Sequence, residues 1–200
     1  MDSTLYETTF FELTLRLTGW GLCTLFFSTI AVGYYVMRAY TGKQPVMRSA
    51  WIIILTLDTV AFISDALYRG AFSVLVAVFI VGAILICLIS ISKGRFEWTT
   101  TDKICSIMAT IAIVGMFIFP QAGLWISVFG LLCGVWPMCV GLYRKTHSET
   151  MWTWSLIFTS NIFAWFEGQH DVAIGFGTIQ ALVIVLELRR RFTVPKIQQV

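Results

Sequence analysis

Charge is what this chain has least of. Lys, Arg, Asp and Glu together make up 12% of its 200 residues, where a soluble domain carries about a quarter. There are too few charges to coat a water-facing surface, and this excludes an ordinary soluble globular protein. Histidine is almost absent. His147 and His170 are the only two, and they fall in separate loops, so they cannot share a metal. The five cysteines (Cys23, Cys87, Cys105, Cys133 and Cys139) stand in apolar stretches, form no CxxC and have no histidine partner at metal spacing, so they read as small core residues. No nucleophile–base pair, phosphate loop or HExxH is present, so an enzyme is not expected. The first sixteen residues contain Asp2, Glu7 and Glu12, the opposite of the basic start of a cleavable leader. No lysine stands in the last apolar run, which argues against a seven-helix photoreceptor.

Hydrophobic residues make up 58% of the chain. They come in seven runs, near 17–37, 49–65, 70–91, 104–119, 122–142, 151–166 and 172–188, close to the roughly 17–25 residues that cross a bilayer as a helix. The expected fold class is an all-α membrane protein of seven transmembrane helices. Pro120-Gln121-Ala122-Gly123 reads as a tight turn between runs four and five. Ser64 to Gly70 and Glu167 to Asp171 read as the other turns on the same side.

The basic residues alternate from loop to loop. Arg38, Lys43 and Arg48 follow run one; Lys93, Arg95 and Lys103 follow run three; Arg144 and Lys145 follow run five. Arg189, Arg190, Arg191 and Lys196 follow run seven. Only Arg16 and Arg69 fall on the other side, so the split is twelve against two. The positive-inside rule then places the N-terminus outside and the C-terminus in the cytoplasm of a multi-pass protein of a cell or inner membrane.

An offset of 103 relates the first three runs to the last three. Tyr40 matches Tyr143, Trp51 matches Trp154, Thr56 matches Thr159, and Ala61 matches Ala164. Asp58 falls where Asn161 does, and Ala77 where Gln180 does. The resulting plan has an external segment (1–16), a first triple-helix bundle (17–92), and a loop with a linker helix (93–121). A second triple-helix bundle (122–191) and a cytoplasmic tail (192–200) complete it. Three helices, one linker and three helices let both copies keep one orientation, with the substrate site between them.

Five side chains stand out as substrate contacts. Asp58 lies mid-span, where a carboxylate costs roughly 2.5–3.5 kcal/mol to insert and therefore faces a cavity or a partner. The alternative is a buried Asp bonded to a neighbouring helix. Asn161 and Trp165, at i and i+4, share a helix face and offer an amide beside a flat ring; helix–helix adhesion is the competing role for Asn161 and a lipid-interface belt for Trp165. Phe62 is the counterpart of Trp165. Gln180, mid-run, is equally suited to pore lining and to interhelix bonding. The arrangement predicts Asp58 and Asn161 facing each other near the bilayer midplane, under Trp165 and Phe62. Pro137 removes a backbone hydrogen bond and bends its helix; with Gly134 and Gly141 beside it, it reads as a hinge or inner gate.

Pro137, Tyr143-Arg144-Lys145, Ser148-Glu149 and Trp165 together resemble the SWEET and PQ-loop transporters (the MtN3-like superfamily). The three-one-three plan does so along the whole chain, although Met138 follows Pro137 where a glutamine gives the PQ loop its name. The resemblance implies facilitated, uniport-like movement of a small polar solute such as a sugar by alternating access. PnuC-type nicotinamide riboside transporters share the plan and are the nearest relatives in this reading; a PQ-loop-like receptor or adaptor is a further one. No cofactor, metal or nucleic-acid partner is expected. The expected partners are the lipid bilayer and a small-molecule solute, with homo-oligomerisation open.

Overall fold

The computed structural model describes residues 6–10, 13–43, 48–93, 98–144 and 151–193. A short antiparallel hairpin, β1 (Tyr6–Phe10) and β2 (Leu13–Leu17), pairs Tyr6 with Leu17 and leads into the helices. Seven helices follow among the described residues: α1 (Gly19–Tyr40), α2 (Arg48–Arg69), α3 (Val74–Lys93), α4 (Thr100–Ile118), α5 (Pro120–Tyr143), α6 (Met151–Phe166) and α7 (His170–Thr193). Each grows from one of the seven apolar runs. Their ends are set by local chemistry. The Thr18 hydroxyl accepts from the Gly21 amide at the start of α1. Thr99 and Asp102 form a reciprocal capping box on α4. Pro120, whose missing N–H costs nothing in a first turn, opens α5. Gly70 (φ 68°) and Gly168 (φ 89°) take the left-handed conformation that ends α2 and α6.

Five helices, α1, α2, α3, α4 and α7, are long and apolar enough to cross a membrane. In α5 the apolar stretch is Pro120–Trp136, shorter than those five. The 16 residues of α6 reach about 24 Å at 1.5 Å per residue, short of a hydrocarbon core of about 30 Å. The outside of the bundle is apolar: Phe26, Leu88, Ile107, Phe117 and Val185 are all exposed.

The packing follows a pattern. The third helix of each half, α3 or α7, packs against the first and second of that half. Between halves, α1 packs on α6 and α2 packs on α5. Exchanging α1 with α5, α2 with α6 and α3 with α7 turns these contacts into one another. The linker α4 lies against α5 and α2, and the Ser49 hydroxyl donates to Asp102 to tie the starts of α2 and α4 (3.2 Å). The core joins both halves through Leu57, Leu75, Val76, Leu124, Val172 and Phe176. Close approach needs small residues. A Cβ on Gly82 would lie 2.4 Å from Val32, and one on Gly175 would lie 2.9 Å from Val128.

The two halves also end their first helices alike. Lys93 Nζ donates to the Tyr40 carbonyl (2.5 Å) and sits 4.2 Å from that ring. The Arg189 guanidinium donates to the Tyr143 carbonyl (3.4 Å) and sits 4.0 Å over that ring. In each, a cation from the third helix meets the unpaired carbonyls and negative dipole end of the first.

One sequence expectation is corrected here. The 103 offset holds for the ends of α1 and α5 (143 − 40 = 103) and the starts of α2 and α6 (151 − 48 = 103). It fails for the third helices, whose starts differ by 170 − 74 = 96. Six of the seven places come from the length of α6, 16 residues against 22 in α2, and one from the turn after it, three residues (167–169) against four (70–73). Counting from the helix starts, Gln180 therefore corresponds to Ile84 (180 − 96 = 84) and not to Ala77.

Candidate solute site

Three of the five candidate contact residues come together. Helix α6 carries Asn161 and Trp165 one turn apart, and α7 brings Gln180 alongside. The Asn161 amide nitrogen donates to Gln180 Oε1 (2.5 Å) and to the Ile157 carbonyl (3.0 Å). Asn161 and Gln180 are each 3% exposed, so this is a buried interhelix bond of the kind that holds apolar helices together. Asn161 Oδ1 is buried without a hydrogen-bond partner. Beside the pair runs a groove of about 370 Å³ between α6 and α7, lined by Asn161, Ile162, Trp165, Ile174, Gly177 and Ala181 among others. Trp165 is 43% exposed at its mouth and packs edge-on against His170 (4.5 Å between centroids, 65°).

The other two candidates lie in the first half. Asp58 is buried in α2. Phe62, one turn on, stacks on Phe72 (5.3 Å, 18°). The groove is lined by α6 and α7 alone, so it does not join Asp58 to Asn161. Of the hinge candidates, Gly134 leaves room: a Cβ there would lie 3.6 Å from Cys105 Sγ, an ordinary contact. The Pro137 side chain and the space around Gly141 lie outside what the structure describes, and Lys145, Ser148 and Glu149 of the basic turn lie outside the described residues.

A polar seam that residue-type reasoning missed closes one end of the bundle. It joins the α2–α3 turn to the α6–α7 turn, where the two halves meet. The Ser73 hydroxyl donates to Gln169 Oε1 (2.5 Å) and Gln169 Nε2 donates to Glu167 Oε2 (2.6 Å). Ser73 and Gln169 are buried. Arg69 pairs with the buried Asp65 through both guanidinium arms. Partial burial pushes the Glu167 carboxyl up to about 7, against the opposing pull of the Arg69 charge and the Gln169 hydrogen bond. The sequence signals here are the two glycine turns; nothing in the chain pairs Ser73 with a residue 96 positions away. At the other end, Glu187 is buried and binds both Arg190 and Arg191.

Among the described residues no group of three His, Cys, Asp or Glu side chains is placed to hold a metal. Comparison with family models, with curated proteins and with solved structures finds no match to this chain.

Proposed function

We propose that this chain is a multi-pass membrane transporter of the SWEET and PQ-loop type that facilitates passage of a small polar solute, such as a sugar, by alternating access. It performs no enzymatic chemistry and uses no cofactor. The observation that carries this reading is the exchange pattern of helix contacts, in which α1–α6 and α5–α2 are images of one another. Two like-oriented units facing each other are the framework of transporters built on parallel repeats, with the solute at their interface. In this reading all seven helices cross the bilayer as two triple-helix bundles, with the N-terminus outside and the C-terminus in the cytoplasm. The short α6 is accommodated by local thinning of the lipid.

In this reading the solute contacts are Asp58 and Phe62 from the first half and Asn161, Trp165 and Gln180 from the second, which the groove between α6 and α7 does not join and which gather only as the halves move, with Pro137, Gly134 and Gly141 as the inner hinge. The seam of Ser73, Gln169 and Glu167 closes the outer end. Opening that end requires the Ser73–Gln169 bond to break. One buried bond of this type has a net worth of about 1 kcal/mol, small enough for thermal rocking. Purified protein in liposomes, tested against labelled sugars, ribosides and amino acids, decides the matter. Saturable uptake of one class above that of empty liposomes is expected. Folded, correctly inserted protein that moves none of them rules the function out.

A further inference from the structure

Four acidic side chains are buried among the described residues: Asp58, Asp65, Asp102 and Glu187. Three of them hold partners suited to an ionised carboxylate. Asp65 binds Arg69 through both guanidinium arms. Asp102 accepts from the Thr99 amide and hydroxyl (both 2.9 Å) and from the Ser49 hydroxyl (3.2 Å). Glu187 binds Arg190 and Arg191. Asp58, 4% exposed near the middle of α2, makes no hydrogen bond or ion pair with any described residue. We propose that Asp58 is a proton-binding site within the membrane, occupied as the neutral acid, and that its proton crosses with the solute. The site rests on the geometry around Asp58; the coupling to a solute rests on the proposed transport.

The surroundings favour a proton over any other partner. An ionised carboxylate only accepts hydrogen bonds. The interior of α2 has no amide N–H to spare, because each binds the carbonyl one turn back. Those carbonyls can take a second bond. The Thr56 hydroxyl donates to the Ile52 carbonyl (2.9 Å) and the Thr59 hydroxyl to the Leu55 carbonyl (2.7 Å). A protonated carboxyl has an O–H to donate in the same way, and an ionised one has none. Helices α3, α4 and α5 pack against α2 and bring no counter-charge. Lys93 of α3 is held on Tyr40. Asp102 and Lys103 stand in the first turn of α4, where Asp102 is bonded to Ser49, nine residues or about 14 Å along α2 from Asp58. Helix α5 contains no Asp, Glu, Lys, Arg or His. The other titratable groups on these helices are the thiols of Cys87, Cys105, Cys133 and Cys139 and the Tyr143 phenol, and none bonds Asp58. On α2 itself Arg48 is spent on the Ser90 and Ile91 carbonyls. A metal ion needs several oxygen ligands, and no group of three His, Cys, Asp or Glu among the described residues is placed to supply them.

The repeat sharpens the contrast. Asn161 stands where Asp58 does and bonds Gln180 of the third helix. Counted from the helix starts, the third helix of the first half has Ile84 at that place, which offers no hydrogen bond. Interhelix adhesion, the ordinary use of a polar residue in an apolar helix, is therefore not the role of Asp58. Seven residues on, Asp65 lies on the same face of α2, about 10 Å nearer the seam, and gives an arriving proton a second carboxyl on its way. A hydronium ion at the seam end yields its proton to the carboxylate and leaves as water; water on the opposite side takes the proton back.

The probe is a membrane-soluble carbodiimide, which adds across the O–H of a protonated carboxyl and leaves a stable N-acylurea. It is applied to the full-length protein in liposomes and the labelled residues are mapped. Label is expected on Asp58 and not on Asp65, Asp102 or Glu187, and it should fall about tenfold per pH unit once the proton dissociates. Asp58→Asn should lose the label and Asp58→Glu should keep it. An Asp58 that stays unlabelled at every pH overturns the proposal. So does protection by sodium at fixed pH, which would give the site to a metal ion. Uptake tests the coupling. With the outside one pH unit more acidic and the membrane potential held at zero, one proton per solute should accumulate the solute up to about tenfold, and Asp58→Asn should only equilibrate it. Uptake that never exceeds equilibrium overturns the coupling, and accumulation that survives Asp58→Asn overturns Asp58 as its site. The labelling needs no solute, so if the transport reading fails the proton site is still decided by the label.

Discussion

Asn161 uses only one end of its amide. Its nitrogen fastens α6 to α7 through Gln180, and its oxygen is left over. Replacing Gln180 by Leu leaves the Asn161 N–H with only the Ile157 carbonyl, and the cost expected is about 1–3 kcal/mol. Replacing Asn161 and Gln180 together by Leu removes donor and acceptor at once and should cost less than the sum of the single changes. Unfolding in mixed micelles, run as a double-mutant cycle, measures this; strictly additive costs would contradict the bond. Glu167 gives a prediction in pH. Its carboxyl titrates near 7 in the folded protein, above the ordinary value of 4.5. Between those values the folded state holds a proton that the unfolded state has released, so stability from this group falls as pH rises from about 4.5 to 7 and is fully present only below that window. Glu167→Gln should flatten the pH 5–8 stability profile, and an unchanged slope would show that another group titrates. At this scale the sequence was informative about which residues are costly. Asp58, Asn161 and Gln180 stand out because polar groups in apolar runs need a reason. It was uninformative about partners, since Asn161 pairs with a residue 19 positions on and Ser73 with one 96 positions on.

At the scale of the element, hydropathy runs translate into helices directly, because a backbone removed from water must satisfy its own hydrogen bonds. The seven runs therefore became seven helices, with ends displaced by the caps. What hydropathy does not carry is length. Helix α6 stops at Phe166, six places before the repeat of Arg69, where α2 stops (69 + 103 − 166 = 6), and with a turn one residue shorter this slides α7 by seven places relative to the 103 offset (103 − 96 = 7). Glycines at helix crossings are equally silent in a hydropathy plot, yet they set how closely the helices approach. Gly123, in the first turn of α5, would place a Cβ 2.8 Å from the Met116 backbone of α4. Backbone cannot step aside as a side-chain tip does, so Gly123→Ala should destabilise by about 1–3 kcal/mol. Gly134→Ala, where the nearest atom is Cys105 Sγ at 3.6 Å, should change stability by less than about 0.5 kcal/mol. Thermal unfolding of the two variants side by side checks the contrast; equal losses would refute the packing argument.

At the scale of the whole molecule, two independent patterns point to the same arrangement. Twelve of fourteen basic residues fall on one side of the alternating loops, and the helix contacts exchange under a swap of halves. Charge alternation predicts that a single cysteine at position 196 reacts only with reagents that reach the cytoplasmic side, and labelling from outside would reverse the topology. Residue types matched at the 103 offset, such as Tyr40 and Tyr143, turn out to make parallel cation contacts. The gathering of the site was less legible, because it depends on which helix faces meet, and periodicity does not specify that. The claim that matters most is that the halves move against each other across the seam where Ser73 meets Gln169. Its most direct test is solute uptake by a Ser73→Cys, Gln169→Cys double variant in a background without the native cysteines, measured in liposomes before and after reduction. The account predicts that the oxidised protein, locked at that end, is inactive and that reductant restores uptake in the same sample. Uptake that is equal in the oxidised and reduced states, with the disulfide shown to have formed, would contradict it.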